Sequence, residues 1–224
     1  MSGVERRVVA IDGPSGSGKS TVAREVARRL GLRVLDTGAM YRAVTLAVLE
    51  AGVDPADEAG CTAVAETVRI DVESGTTRLD GRDVSTEIRK PEITAAVSAV
   101  SAHPSLRAVL VEQQRQWVQT HGGGVVEGRD IGTVVFPRAA VKVFLVASDD
   151  ERARRRQLDE LRAARDVDVE AVRVELERRD RLDAGRATSP LRAAEDAFRL
   201  DTTDRAVEEV VDEIVRRYHV ATGG

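Results

Sequence analysis

Gly13-Pro14-Ser15-Gly16-Ser17-Gly18-Lys19-Ser20 constrains the folds open to this chain more than any other stretch. It satisfies G-x-x-x-x-G-K-[ST], a loop whose successive backbone N–H groups turn into one cavity and cradle phosphate oxygens. The glycines let the backbone curl through conformations that a Cβ resists. A helix opening near Lys19 adds its positive end to the cavity. In this pattern Lys19 reaches the β- and γ-phosphates of a nucleoside triphosphate, and the Ser20 hydroxyl sits on Mg²⁺. The flanks agree: Arg7–Ile11 is short, apolar and β-branched, as a buried parallel strand requires. Behind the loop Val22, Val26 and Leu30 recur at helical spacing with Ala23 and Ala27 beside them, and Gly31 supplies a stop. A glycine-rich turn without a ligand is the plain alternative; the strand–loop–helix order favours a triphosphate site.

With 224 residues, 42% apolar and 32% charged, the chain can bury one sizeable core. A net charge of −4 offers no general basic field for nucleic acid or an acidic membrane surface. Cys61 is the lone cysteine, which rules out an internal disulfide framework and suits a reducing cytosol. No run approaches the length of a membrane span and no signal-type segment precedes the first strand, so a cytoplasmic location is expected. The scarcity of lysine (Lys19, Lys90 and Lys142) beside many arginines reads as genomic bias more than function.

Along the chain, Arg33–Asp36 reads as a second strand ending at Thr37-Gly38, followed by a helix over 39–51 with Met40, Val44, Ala47 and Val48 on one face. A further helix is expected over 62–68. The period then changes: Ile70, Val72, Thr77, Leu79 and Val84, broken at Ser74-Gly75 and Asp80-Gly81, form a small antiparallel meander that Pro91 ends. Helical patterns return over 93–102 and 105–120, with Leu106, Val109, Leu110 and Trp117 inward. Val125–Glu127 and Val141–Ala147 read as strands, the latter with Phe144 in the core. Arg-rich helices start near Asp150 and Val169, Phe198–Asp201 is a last strand, and 205–218 a closing helix. No repeat or low-complexity linker interrupts this order. Strands alternating with helices predict a three-layer α/β/α domain with a central parallel sheet, plus the small β insert.

Three further stretches specify more than the loop does. Leu35-Asp36-Thr37-Gly38-Ala39-Met40-Tyr41-Arg42 and Gly128-Arg129-Asp130-Ile131-Gly132-Thr133-Val134-Val135-Phe136-Pro137, together with the meander and its Glu87-Ile88-Arg89, resemble the bacterial cytidylate kinases, a branch of the P-loop nucleoside monophosphate kinases. Arg179-Asp180 with Asp183 and Arg186 fits the same family, and the resemblance spans nearly the whole chain. It implies transfer of the γ-phosphoryl group of ATP to CMP or dCMP with Mg²⁺, in nucleotide salvage and pyrimidine metabolism. It further implies that Thr37, Arg42 and Arg129 hold the acceptor phosphate with Arg186 assisting, and that Tyr41 packs on the nucleotide. Ser98, Arg107 and Asp130 would read the cytosine edge, and Arg179 and Asp183 would contact the sugar. The acceptor region with its β insert would cover about 37–107, and a movable LID about 152–166. Two departures stand out: Glu127 where Asp is as common, and a LID sequence Leu161–Asp166 without glycine.

The chemistry asks for such residues independently. Phosphoryl transfer needs positioning and charge more than covalent help, and a nucleoside monophosphate, with a second pKa of about 6, needs no general base near neutrality. It needs cations, and arginine forks suit phosphate oxygens. The expected catalytic set is Lys19, Arg42 and Arg129, to which the resemblance adds Arg186. The donor set is Gly13, Pro14, Ser15, Gly16, Ser17, Gly18, Lys19, Ser20 and Thr21, joined by Arg152. Arg42 and Arg129 follow strand ends, where open sheets take ligands. Within Arg152–Arg156 only some members can face one ligand. Arg24, Arg28, Arg173 and Arg216 read as solvated. Glu127 ends a strand and either orders Mg²⁺ through water or pairs with Arg129 or Lys19; Asp12 and Asp36 carry the same ambiguity. His103, His121 and His219 show no metal or nucleophile pattern.

Two other readings share the loop. A small-molecule kinase of the shikimate type would not carry the meander at 69–88. A regulatory P-loop GTPase reads guanine through Asn-Lys-x-Asp, and this chain has no asparagine. No heptad or long exposed apolar helix calls for an oligomer, so a monomer is expected, with nucleotides as its partners and neither nucleic acid nor membrane among them.

Overall fold

A computed structural model describes residues 3–73, 75–162, 167–186 and 188–223. Its five-stranded sheet is parallel throughout, in the order β2 (Val34–Asp36), β6 (Gly124–Gly128), β1 (Val8–Asp12), β7 (Val141–Val146) and β8 (Phe198–Asp201). Alternation along β1 decides the layers. Val9 and Ile11 pack under α1 (Lys19–Leu30) and α8 (Val207–Thr222), with Val22, Val26, Val211 and Ile214. Val8 and Ala10 face the opposite layer, where α2 (Thr37–Glu50) and α5 (Pro104–His121) contribute Val44, Val48, Leu106 and Leu110. The sheet thus buries both faces, as the predicted α/β/α architecture requires.

The insert is a separate three-stranded antiparallel sheet in the order β3 (Ile70–Glu73), β4 (Thr76–Leu79), β5 (Arg82–Asp83). Asp80 and Gly81 both take positive φ, +50° and +83°, the geometry of a tight hairpin turn. β5 stops at Asp83, and Val84 is buried beyond it. The insert docks on α2 beside α3 (Glu58–Thr67) and α4 (Pro91–Val100).

Several boundaries differ from the periodicity, for local reasons. Thr37 begins α2 instead of ending a strand, because Asp36 Oδ1 accepts from Ala39 N at 3.0 Å and caps the helix. Asp57 caps α3 in the same way, so it starts at Glu58, not at residue 62. Pro91 and Pro104 sit at the first turns of α4 and α5, where a missing N–H costs nothing; Pro91 therefore opens a helix as well as closing the insert. Trp117 and Val109 lean on the core while remaining half-buried. Ile131–Val135 forms one π turn that no sequence pattern announced. The Arg-rich pair are α6 (Asp149–Arg162) and α7 (Val169–Ala184). The expected LID falls on α6 and on residues 163–166, and those four lie outside the described residues. Among the described residues no helix is long and apolar enough to cross a membrane.

Candidate active site

The strands end at one rim, and next to β1 the sheet order reverses, which opens a crevice there. A cleft of about 450 Å³ runs from the glycine-rich loop, lined by Ser15, Gly16, Gly18, Lys19, Ser20 and Thr21, to Tyr41, Arg42, Ser101 and Arg107 on the helices of the opposite layer.

At the loop end glycine is demanded by space. A Cβ on Gly13 (φ +150°) would lie 2.3 Å from Leu145 O of β7, and one on Gly16 (φ +78°) 2.8 Å from Arg152 O. The loop is held from outside: Ser17 Oγ donates to Pro14 O at 3.0 Å, Thr202 Oγ1 to Ser17 O at 3.1 Å, and Arg152 Nε to Ser15 O at 2.7 Å. Gly13, Pro14 and Ser17 thus shape the loop without lining the cleft. Lys19 Nζ donates to Pro14 O at 2.6 Å. Burial, and after it the charge of Arg129, pulls the Lys19 ammonium below the usual lysine range. Ser20 Oγ donates to Glu127 Oε2 at 2.9 Å. Burial and the nearby Asp36 push Glu127 upward. The Glu127 carboxyl thus bonds to Ser20, and among the described residues it accepts from neither Arg129 nor Lys19.

Arg152 departs from its expected place at the donor nucleotide. It is buried behind the loop, with its guanidinium occupied by Ser15 O, Asp149 and Asp180, and it does not line the cleft. Helical spacing sorts the rest of the run. Arg155 lines the cleft and donates to Thr202 Oγ1 at 2.9 Å and Thr202 O at 2.6 Å; Arg156 also lines it, while Arg154 turns outward to Glu151.

Asp12 proves to be a structural brace. Its two oxygens accept from Ile131 N at 2.8 Å and Gly132 N at 2.7 Å, which fixes the π turn behind Arg129 and Asp130. Burial, moderated by these two bonds, raises its pKa to about 6. Asp12→Asn can accept only one of the two N–H groups and faces the other with a donor, so it is expected to lose about 1–3 kcal/mol of stability near neutral pH. Because the folded-state pKa is raised, the wild-type carboxyl adds stability below its ordinary value of 3.8, and that addition is lost as pH rises toward about 6. The difference between wild type and Asp12→Asn should accordingly widen from about pH 6 to about pH 4 in urea titrations.

The far end gathers side chains from five segments. Thr37 Oγ1 donates to Glu127 O at 2.7 Å, locking the start of α2 to the end of β6. Arg42, one turn on, donates to Ile88 O at 3.2 Å and Thr94 Oγ1 at 3.0 Å. Arg129 Nε donates to Asp183 Oδ2 at 3.0 Å, and Arg186 donates to the other oxygen of Asp183 and to Ser101 Oγ at 2.8 Å. Arg107 pairs with Asp130, donates to Ser101 O at 3.2 Å, and lies over the Tyr41 ring with Cζ 5.1 Å from its centroid. Arg179 faces the cleft, and its buried Nε has no hydrogen-bond partner.

Crowding and burial weaken the hold of these cations on their protons. Burial and Arg179 pull Arg42 down to about 9, and burial and Arg129 pull Arg179 down to about 10. Arg186 is lowered by burial as well. Burial alone would raise Asp183, but Arg129, Arg186 and Arg179 outweigh it and hold the carboxyl below its usual range.

Ser98 is buried and does not line the cleft; Ser101, one turn later on the same side of the chain, does. Sequence reasoning did not single out Ser101, Thr202, Arg205 or Val207, which line the cleft, and quoted Arg89 within the resemblance without giving it a role. The β8-to-α8 position of Thr202, at a strand's C-terminal end, was the available signal. His103 Nε2 lies 2.8 Å from Pro55 O and His121 Nδ1 2.7 Å from Trp117 O, both away from the cleft. Among the described residues no cluster of three or more His, Cys, Asp or Glu could hold a metal by itself.

A phosphate-cradling loop facing a bank of arginines across one cleft, on a parallel sheet with a β insert, defines a P-loop phosphotransferase. Residues 9–220 match the family model described as cytidylate kinase. A cytidylate kinase of Mycobacterium avium (strain 104) is 54% identical over 211 residues, which cover 92% of each chain. Another, from Nocardia farcinica (strain IFM 10152), is 50% identical over 213 residues, 93% of this chain and 92% of its own. The solved structure of an uncharacterised protein from Eubacterium ventriosum shares the fold at a TM-score of 0.53 with 14% identity, covering 96% and 99% of the two chains. The chain belongs to the cytidylate kinase family.

Proposed function

We propose that this protein transfers the γ-phosphoryl group of ATP to CMP, and also to dCMP, by direct in-line displacement. One observation carries the reading: Arg42, Arg129, Arg179 and Arg186 meet at one end of the cleft, where Asp183 accepts from Arg129 and Arg186, opposite Lys19 and the loop. Like charges brought together and desolvated are unfavourable until an anion joins them. A dianionic acceptor phosphate at the arginines and a triphosphate at the loop would relieve both ends.

In this reading the loop N–H groups and Lys19 hold the donor phosphates, with Lys19 exchanging Pro14 O for phosphate oxygens. Arg42 and Arg129 hold the acceptor phosphate in line with the donor, with Thr37 fixing the chain between them. The Arg107–Asp130 pair presents a donor and an acceptor toward the base, and Asp183 with Arg179 lies where the sugar would pass. Arg155 and Arg156 on α6 stand over the transfer path. No residue is needed as general base, because the acceptor is already ionised near pH 7. The oxygen donors Ser20 Oγ and, through water, Glu127 suit Mg²⁺, which keeps several waters and takes few protein ligands. When bound, Mg²⁺ supplies charge neutralisation at the donor phosphates.

Release of ADP with CMP, dCMP, UMP, AMP and shikimate as acceptors tests the proposal. CMP and dCMP should give the highest kcat/KM; a better rate with AMP or shikimate removes the cytidylate assignment.

A further inference from the structure

Arg152 is 6% exposed, does not line the cleft, and yet is bonded to both ends of it from behind. Each nitrogen of its guanidinium goes to a different segment. Nε donates to Ser15 O of the glycine-rich loop at 2.7 Å, Nη1 to Asp149 Oδ1 one turn earlier on α6 at 3.0 Å, and Nη2 to Asp180 Oδ2 on α7. Its main chain closes on the loop as well, since a Cβ on Gly16 would stand 2.8 Å from Arg152 O. Ser15 and Gly16 line the donor end of the cleft. On α7, Asp180 directly follows Arg179 and lies less than one turn before Asp183, and these two line the acceptor end. One side chain therefore joins the loop to the helix that faces the acceptor.

We infer that Arg152 is a positioning residue that couples the two nucleotide sites: a donor held by the loop tightens acceptor binding at α7, and the acceptor tightens donor binding to the same degree. The inference rests on ATP occupying the loop and CMP the arginine end. A triphosphate that takes up the loop N–H groups sets Ser15 and Gly16 in place. Arg152 follows Ser15 O, and because its guanidinium is planar and rigid a shift at Nε is passed to Nη2 and so to Asp180. Arg179 and Asp183 move with Asp180, and Arg186 with Asp183, to which it donates. This turn of α7 has bonds still to gain: Arg179 Nε and Asp180 Oδ1 are buried without hydrogen-bond partners, a condition that folded interiors seldom leave in place without cause.

Calorimetric titration of CMP into the free protein, and into protein saturated with an ATP analogue whose β–γ bridge is a methylene group, reads the coupling as a ratio of two Kd values. In the wild type the analogue should tighten CMP binding about fivefold or more. Arg152→Lys leaves an ammonium that cannot serve the loop and α7 together, and Asp180→Ala cuts the link at its far end. In both the ratio should fall below about twofold, with CMP affinity in the absence of the analogue within about threefold of wild type. Asp180 is 20% exposed, so water can replace its carboxylate and Asp180→Ala should fold even if Arg152→Lys does not. Asp149→Asn touches the same guanidinium only within α6 and should keep the wild-type ratio, which a general loosening of the fold would not. A wild-type ratio of about one, a ratio preserved in Asp180→Ala, or an equal loss in Asp149→Asn overturns the coupling while leaving the cytidylate reading intact. If the wild type binds no CMP with or without the analogue, that reading itself fails and the inference falls with it.

Discussion

Lys19→Met lowers kcat by about two to three orders of magnitude, the loss usual when one preorganised charge is taken from a developing anion. The argument rests on where Lys19 stands. It opens α1, is 8% exposed, and holds its ammonium against Pro14 O within the loop that would take the phosphates. Burial and then Arg129 depress its pKa to about 7, so the empty site holds the ammonium at a cost. Deleting that charge removes an unfavourable term from the empty site, so Lys19→Met should melt at the wild-type temperature or above it. Loss of turnover with retained stability is the paired outcome, read by steady-state kinetics and thermal unfolding. Turnover within a few-fold of wild type would remove Lys19 from the transfer step.

Arg129→Met acts at the other end. The guanidinium follows β6 directly, donates to Asp183, and is held in place by a turn that Asp12 braces. Its loss deprives the acceptor phosphate of a forked donor, and kcat/KM for CMP should fall by about a thousandfold. KM for ATP should stay within about threefold, since Lys19 and the loop amides are untouched. Asp183 keeps Arg186, so the fold should survive. Arg129→Lys should restore only part of the loss, because an ammonium cannot match two phosphate oxygens at once. An unchanged kcat/KM for CMP in Arg129→Met would place the acceptor elsewhere.

What the sequence made legible was whatever short stretches determine by themselves. The loop at 13–20 carries its own glycines, lysine and serine, and the strand and helix around it follow from periodicity. Arg129 directly follows the end of β6 and Arg42 lies in the first turns of the helix that follows β2, the side of the sheet where the fold class places ligands. The meander was visible from its change of period, with Asp80-Gly81 at the turn. Boundaries at Asp36, Asp57 and Pro91 were misjudged by two to four residues, and that at Pro104 by one, where capping outranked hydrophobic spacing.

Residues whose role comes from another element's approach were not legible. Ser98 and Ser101 stand a turn apart in the same Ala- and Val-rich segment, and only the approach of Arg186 and Arg107 distinguishes Ser101. Arg152 and Arg155 share one helix, yet one supports the loop from behind and the other faces the cleft. Asp12 looked like any strand-end carboxylate until the π turn at 131–135 placed two N–H groups on it.

The central claim is that two anions are held at opposite ends of one cleft by separate sets of cations. Calorimetric titration of ATP and of CMP into Lys19→Met and Arg129→Met measures it directly. The account predicts that Lys19→Met loses ATP affinity and binds CMP as wild type does, while Arg129→Met does the reverse. If Arg129→Met binds CMP with wild-type affinity while its ATP affinity collapses, the arginine end is not an acceptor site and the account is wrong.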